Sequence, residues 1–233
     1  MKLKTLFYLL IPILLIPILL ISCKKYSEPI PLKPDTLSFK RVLILGNNIT
    51  FAQSNPSIGW YNSCGMAASV PDSDYVHLLV NKLETIYLAG SITSVNISPF
   101  ETDWRNYNID TNLKLYKSIN PDLIIFRIGE NVNLSPSDTS AFEETYHSLI
   151  KYFGSSPVIL GVGSIWPKPV VDRIMKRNSN FFSLSSIGSD NSVYSYVLGA
   201  NFGIQHPPNN KGMKLIADSI WSHINKLRIV NKY

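Results

Sequence analysis

The side chains best suited to bind a ligand or take part in a reaction lie in three short polar segments. Asn47 and Asn48 follow one apolar run, Glu130 and Asn131 follow another, and His206 precedes the last apolar-patterned segment. Amides, carboxylates and imidazoles donate or accept hydrogen bonds. These five side chains could therefore hold the hydroxyl groups of a sugar if the fold brings them together.

The alternation of strand and helix patterns along the chain predicts a fold that brings these segments together. Short apolar or β-branched runs predict strands, at 41–45, 91–98, 122–128 and 158–162. Helical spacing of apolar residues predicts helices, beginning near Ser69 and over part of 103–120, 142–153, 170–176 and 213–227. The serine-rich segment 178–203 is predicted to be a loop. This order predicts an α/β three-layer sandwich with a parallel central sheet, in which residues after 45, 128 and 162 share one edge.

Three motifs resemble those of the SGNH (GDSL-type) hydrolases. Gly46-Asn47-Asn48-Ile49-Thr50 resembles the first block of the family, Gly129-Glu130-Asn131 its third, and His206-Pro207 its last. Gly65-Met66-Ala67-Ala68-Ser69 is similar to a branch of the family found among secreted proteins. The resemblance covers residues 41–227. It implies a flavodoxin-like SGNH hydrolase fold and ester hydrolysis, the deacylation of carbohydrate or lipid esters.

The resemblance also implies catalytic roles. The residue at position 48 would be the nucleophile, His206 the base, and Asn131 a donor to the oxyanion. The family has serine at the first of these positions, whereas this chain has Asn48. A carboxamide has no ionisable proton and is a very poor nucleophile. Loss of a triad nucleophile costs on the order of 10⁶ in turnover, so we expect hydrolysis to be weak or absent.

Two further positions differ from the family pattern. Gly203 stands where the family usually has the aspartate that orients the histidine, and Glu130 or Asp190 could serve instead. The second-block glycine, another oxyanion donor, has no sure counterpart, and Pro99 cannot donate an N–H.

Three nearby residues, Thr50, Ser54 and Cys64, could substitute for the missing serine. A nucleophile even one residue away would lie ångströms from the required position, and such misplacement is costly. A structural alternative is that Asn48 is a turn residue, since asparagine tolerates left-handed backbone.

Residues 1–22 are predicted to be a lipoprotein signal peptide. Lys2 and Lys4 precede the apolar segment 6–21, the order of a charged n-region and an h-region. Leu20-Ile21-Ser22-Cys23 resembles a lipoprotein cleavage box, which implies that Cys23 is lipidated; an ordinary signal peptide or an uncleaved anchor is the alternative. Residues 23–39 are predicted to be a tether and 40–233 the domain. This predicts a lipid-anchored location in the bacterial cell envelope, outside the cytoplasm.

Composition bears on the partners. The formal net charge is +6 and falls to +4 when residues 1–22, with Lys2 and Lys4, are removed. No basic stripe is interleaved with aromatic residues, so we expect no nucleic-acid partner. The histidines lack partners at ligand spacing, so we expect no metal and no cofactor. His77 is interpreted as an ordinary boundary histidine and Cys64 as a small, half-buried residue.

Three functions stay open at this stage. The first is an SGNH-like lipoprotein that acts weakly, or not at all, on a small-molecule or glycan ester. The second is a non-catalytic glycan- or ester-binding module of the cell envelope. In either, Asn47, Glu130 and Trp60 are predicted to contribute to substrate binding, with Trp60 or Trp166 stacking on a sugar ring. The third is a structural lipoprotein without a ligand, which the concentration of polar residues at strand ends disfavours.

Overall fold

The sheet is built outward from its first strand, β1 (Arg41–Gly46). β1 pairs with β2 (Ser91–Asn96) on one side and β3 (Leu123–Arg127) on the other. β4 (Val158–Val162) and β5 (Asn180–Phe182) follow beyond β3, and every pair is parallel. The resulting order, β2-β1-β3-β4-β5, is the flavodoxin-like order. The chain is seen here in a computed structural model that describes residues 39–85, 91–195 and 206–230, with side chains as far as Leu227.

The strand register aligns the carboxyl ends of the strands. Gly46 pairs with both Asn96 and Arg127, Arg127 pairs with Val162, and Val162 pairs with Phe182. The residues that follow β1, β3 and β4 therefore emerge at one edge of the sheet, as the sequence predicted. We call this edge the lip.

Helices cover both faces of the sheet. They are α1 (Tyr75–Glu84), α2 (Ser98–Thr102), α3 (Ile109–Ser118), α4 (Thr139–Tyr152), α5 (Pro169–Asn178), α6 (Ser185–Gly188) and α7 (Asn210–Val230). Val42 and Ile44 of β1 belong to one hydrophobic cluster, with α1 and α7. Leu43 and Leu45 belong to a second cluster, with α2 to α5. Because side chains alternate along a strand, β1 fills the cores on both sides of the sheet. The predicted three-layer α/β sandwich is confirmed.

Two local predictions are corrected. Segment 178–203 was predicted to be a loop, but its described part contains β5, α6 and a 3-10 turn at Asn191–Val193. These elements are too short to show a periodicity in sequence. The helix predicted from Ser69 begins at Tyr75 instead. The Asp74 side chain accepts a hydrogen bond from the His77 N–H at 2.8 Å and caps the helix there.

All described residues belong to one compact unit, Thr36–Tyr233. The predicted signal peptide 1–22, Cys23 and Gly203 lie outside the described residues, and the boundary predicted at residue 40 stays a prediction. Within the described ranges, no helix combines the length and the apolarity that crossing a bilayer requires.

Candidate active site

The turn after β1 presents its two asparagines in opposite ways. The N–H groups of Thr50 and Phe51 donate to the Asn47 carbonyl at 2.9 and 3.1 Å. The Ile49 N–H donates to Asn47 Oδ1 at 3.0 Å, which closes the turn through the side chain. Asn47 is thereby only 1% exposed, whereas Asn48 is exposed at the lip. The turn lies between β1 and β3, where the strand order reverses and α/β sheets bind ligands.

Asn96, the last residue of β2, fixes the orientation of the Asn48 amide. Asn96 Oδ1 accepts from the Ser98 N–H at 2.8 Å, and its Nδ2 donates to the Phe51 carbonyl at 2.7 Å. These two backbone groups determine which end of the Asn96 amide is oxygen. Its Nδ2 also donates to Asn48 Oδ1 at 2.8 Å, so the NH₂ group of Asn48 points elsewhere. Position 48 therefore offers hydrogen-bond donors, with no proton that it could readily lose.

A buried charged cluster lies beneath the turn. Asn47 Nδ2 donates to Glu130 Oε2 at 2.7 Å and to both oxygens of Glu101 at 3.1 Å. Arg127, which is fully buried, forms an ion pair with Glu130 at 2.6 Å and donates more weakly to Asn47 Oδ1 at 3.4 Å. Arg127 thus pairs with Glu130, and the Asn47 amide lies between the carboxylates of Glu130 and Glu101.

Glu101 connects this cluster to the loop after β3. Its Oε1 accepts from the Gly129 N–H, and its Oε2 accepts from Asn131 Nδ2 at 2.6 Å. Gly129 has φ = +130°, a backbone conformation that residues with a side chain rarely adopt. Glycine at 129 therefore lets the backbone present its N–H to Glu101 and turn Asn131 towards the same carboxylate.

The pKa of Glu101 is raised from 4.5 to about 7. Burial is the largest cause, and the charge of Glu130 adds to it, because both penalise a second buried anion. The hydrogen bonds from Gly129, Asn131 and Asn47 oppose the shift, since they stabilise the ionised form. The site accordingly contains a carboxyl group that changes charge near neutral pH.

The segment that carries His206 is attached to the lip at two points. Pro208 forms a bridge with Tyr194, whose ring stacks on Trp166 at a centroid distance of 6.2 Å. Trp166 lies in the loop that follows β4. On the other side, Asn210 is hydrogen-bonded through both ends of its amide to Ser69, at 2.9 and 2.7 Å.

The loop that contains Ser69 is in turn attached beside Asn48. The Met66 N–H donates to the Asn48 carbonyl at 2.9 Å. A Cβ at Gly65 would lie 2.6 Å from the Ile49 carbonyl oxygen and 2.9 Å from the Asp74 Cβ. Glycine at 65 therefore allows the turn after β1 and the start of α1 to approach closely. The segment that leads from His206 into α7 thus contacts the loop that adjoins position 48, while the approach of the imidazole to Asn48 stays a prediction.

The three substitute nucleophiles are engaged elsewhere. Thr50 is buried, and its Oγ1 is hydrogen-bonded to the Tyr75 hydroxyl at 2.6 Å. Cys64 is fully buried, and burial together with the charge of Asp74 raises the pKa of its thiol to about 11. Ser54 Oγ donates to the Trp60 carbonyl at 3.4 Å. None of these contacts activates a nucleophile.

Asn47, Glu130 and Trp60, the predicted substrate-binding residues, are all buried. Asn47 and Glu130 hydrogen-bond to each other, and Trp60 Nε1 donates to the Ala52 carbonyl at 3.2 Å. In this conformation their side chains are engaged inside the protein, and a ligand would first meet other side chains. Trp166, the other predicted stacking residue, has its ring against Tyr194.

The acids considered as partners for His206 have well-defined contacts of their own. Glu130 accepts hydrogen bonds from Arg127 and Asn47. Asp190 is paired with Lys211 at 2.8 Å and accepts from Ser192, and these hydrogen bonds hold its pKa well below its usual range. A role for either acid in orienting His206 stays a prediction. Across the described residues, no group of three histidine, cysteine or acidic side chains could hold a metal ion.

Sequence reasoning missed Glu101 and Arg127. Arg127 could have been found from the sequence, because a charged residue at the end of an apolar strand is rarely buried without a partner of opposite charge. Glu101 could not have been found in this way, because it follows Pro99 and Phe100 in a short segment without periodicity. Only the register of β2 against β1 brings it under the turn.

No protein-family model matches the chain, and no curated protein is similar to it in sequence. Solved structures are similar in fold. A two-domain esterase (CEX) active on acetylated mannans is 19% identical, with a TM-score of 0.56 over 81% of this chain, which spans about half (49%) of that esterase. TesA is 15% identical, with a TM-score of 0.54 over 80% of this chain and 99% of its own. The psychrotrophic esterase EstA from Pseudoalteromonas sp. is also 15% identical, with a TM-score of 0.52 over 81% and 98%. At such identities the likeness establishes the architecture, and the chain therefore has the parallel α/β fold of the SGNH hydrolases.

Proposed function

We propose that this chain is an SGNH-type protein that binds an ester, on a glycan or a small molecule, and hydrolyses it slowly or not at all. The observation that carries the proposal is the Asn48 amide. Asn96 holds its oxygen at 2.8 Å, so NH₂ donors are presented at the lip where the family has its nucleophile. Among the described residues that were considered as replacements, Thr50 and Cys64 are buried.

In this proposal Asn48 and Asn131 bind the ester through their amide groups and His206 is the remaining base. Binding without rapid turnover follows, because an amide donor can hold a carbonyl oxygen but cannot attack its carbon. The esterases of similar fold support an ester as the ligand, since one of them acts on acetylated mannans.

The test is Asn48→Ser in the full chain, assayed with 4-nitrophenyl acetate beside the unmodified chain and Asn48→Ala. Loss of a triad nucleophile costs on the order of 10⁶ and loss of the acid roughly 10⁴, so restoring serine without the acid should increase turnover by about 10². Asn48→Ala removes the amide without supplying a hydroxyl and should show no increase. Rapid hydrolysis by the unmodified chain would contradict the proposal, as would an equal rate for the serine and alanine variants.

A non-catalytic binding module of the cell envelope is the second candidate, and the donors at position 48 favour it equally. The two candidates differ in the serine variant. If His206 and Asn131 are arranged for catalysis, Asn48→Ser gains activity and His206→Ala removes that gain. If the site only binds, Asn48→Ser gains nothing while glycan binding by the unmodified chain persists.

We further propose that Cys23 is lipidated and anchors the protein in the bacterial cell envelope, outside the cytoplasm. The support is the order of charge, apolar segment and Leu-Ile-Ser-Cys in residues 1–23. Two or three acyl chains would anchor a protein stably where one would not. Incorporation of labelled palmitate by the unmodified chain, and its absence in Cys23→Ala, is the expected result; equal labelling of both would contradict it.

A further inference from the structure

A pocket of about 390 Å³ opens beside Asn48. It lies between the end of β2 and the hairpin 52–64, which is closed by bridges between Ala52 and Cys64 and between Asn55 and Trp60. Its volume is near the lower end of the range for small-molecule sites. The pocket therefore suits one or two small rings better than an extended chain.

The lining of the pocket is uncharged. None of its eight residues carries a charge, and four of them are carboxamides: Asn48, Gln53, Asn55 and Asn96. A charged ligand would lose its hydration here without gaining an ion pair, which is unfavourable. The lining thus selects for a neutral ligand with several hydrogen-bonding groups.

Three of these amides retain hydrogen-bonding capacity. Asn48 has its oxygen bound by Asn96, and Asn55 has its oxygen bound by Ser57. Within the described ranges, the NH₂ groups of Asn48 and Asn55 and both ends of Gln53 have no partner. Hydroxyl groups donate and accept at once, so they can satisfy this mixture of donors and acceptors.

The rest of the wall is apolar. Phe51 and Met66 contribute to it, and apolar side chains can pack against the C–H face of a sugar ring. A fatty acyl chain would cover the amide groups without hydrogen-bonding them, at a desolvation cost. The geometry points to a subsite for a neutral sugar residue, next to an ester group held at Asn48. This inference rests on the proposed function, because that function places the ester at position 48.

The experiment is calorimetric titration of the full chain, purified in a detergent without a sugar head group. The probes are mannopentaose, cellopentaose and chitopentaose as neutral glycans, pentagalacturonate as a charged glycan, and monooctanoylglycerol as a lipid ester. Gln53→Met removes an amide at similar length, and Asn55→Asp removes the NH₂ while keeping the oxygen that Ser57 uses. Asn81→Met, on the exposed side of α1 and outside the pocket lining, is the matched control.

We expect at least one neutral glycan to bind, and its Kd to rise about 3- to 10-fold in Gln53→Met and in Asn55→Asp, with no change in Asn81→Met. If glycan binding is unchanged in both pocket variants but is lost in Asn131→Ala, the subsite is overturned and the proposed function still stands. Binding of pentagalacturonate or monooctanoylglycerol in preference to the neutral glycans would overturn the assignment to a neutral sugar. Binding of no probe would also overturn the subsite, whereas the proposed function is judged separately by hydrolysis in Asn48→Ser.

Discussion

Glu101 Oε2 accepts a hydrogen bond from Asn131 Nδ2 at 2.6 Å, so a buried carboxylate on α2 holds the amide predicted to donate to the oxyanion. The same carboxylate holds Asn47 and the Gly129 backbone. Residues after β1, β2 and β3 are thereby linked through one side chain. Because an ionised carboxylate is an acceptor only, the charge state of Glu101 determines whether all of these donors are satisfied.

Removing the negative charge at position 101 should weaken the hydrogen bond that positions the Asn131 amide. In the Asn48→Ser background, we expect Glu101→Gln to lower turnover by about tenfold, less than the 10² to 10³ expected for losing an oxyanion donor outright. The contribution of the Glu101 carboxyl to the pH–rate profile near pH 7 should be lost in this variant. Glu144→Gln, on the exposed side of α4, is the control and should alter neither. An unchanged pH profile in Glu101→Gln would show that Glu101 does not act through Asn131.

Stability should depend on pH through the same group. Its folded-state pKa of about 7 lies above the ordinary value of 4.5, so the folded state binds the proton more tightly than the unfolded state does. Raising the pH from 4.5 towards 7 should therefore lower the free energy of unfolding, by at most about 1.4 kcal/mol per pH unit. Urea unfolding at several pH values checks this. The slope of the unmodified chain should be more negative than that of Glu101→Gln, and equal slopes would contradict the assignment.

Arg127 should be essential for stability. It is fully buried and forms an ion pair with the buried Glu130 carboxylate. Arg127→Met would leave the buried Glu130 carboxylate without its ion-pair partner, which should destabilise the protein by about 3 to 5 kcal/mol. Arg177→Met removes the exposed pair with Glu143 and should shift the urea midpoint little. Similar midpoints for the two variants would show that the buried cluster does not need its cation.

Cys64 should resist alkylation in the folded protein. With the pKa of its thiol raised to about 11, only on the order of 10⁻³ of it is thiolate at pH 8, and the side chain is fully buried. Mass spectrometry after iodoacetamide treatment should find Cys64 unmodified until urea is added. The exposed control Asn81→Cys should react at once. Equal rates at the two positions would mean that Cys64 is accessible and a candidate nucleophile after all.

The fold could be predicted because its signals are local. The runs at 42–45 and 123–126 are continuous and apolar, which is typical of strands buried on both faces, and amphipathic helices separate the strands. Elements of three to five residues, such as β5 and α2, were not predicted because they are too short to show a repeating pattern of apolar residues. Asn48 and Asn131 were predicted to lie at one edge of the sheet and do so, whereas Glu101 was not predicted to join them. Their role as a functional site stays a prediction.

The sequence by itself determined which residues stand at the carboxyl ends of the strands, because residue order and the apolar runs locate those strands. That Asn48 takes the place of the family serine follows from the motif resemblance and stays a prediction. The tertiary structure alone decided that Asn47 turns inward while Asn48 faces out, and that Glu101 lies beneath them. In a turn, unlike a strand or a helix, the direction of a side chain does not follow from its position in the sequence. A contact between residues 47 and 101 exists only once two strands have paired in register.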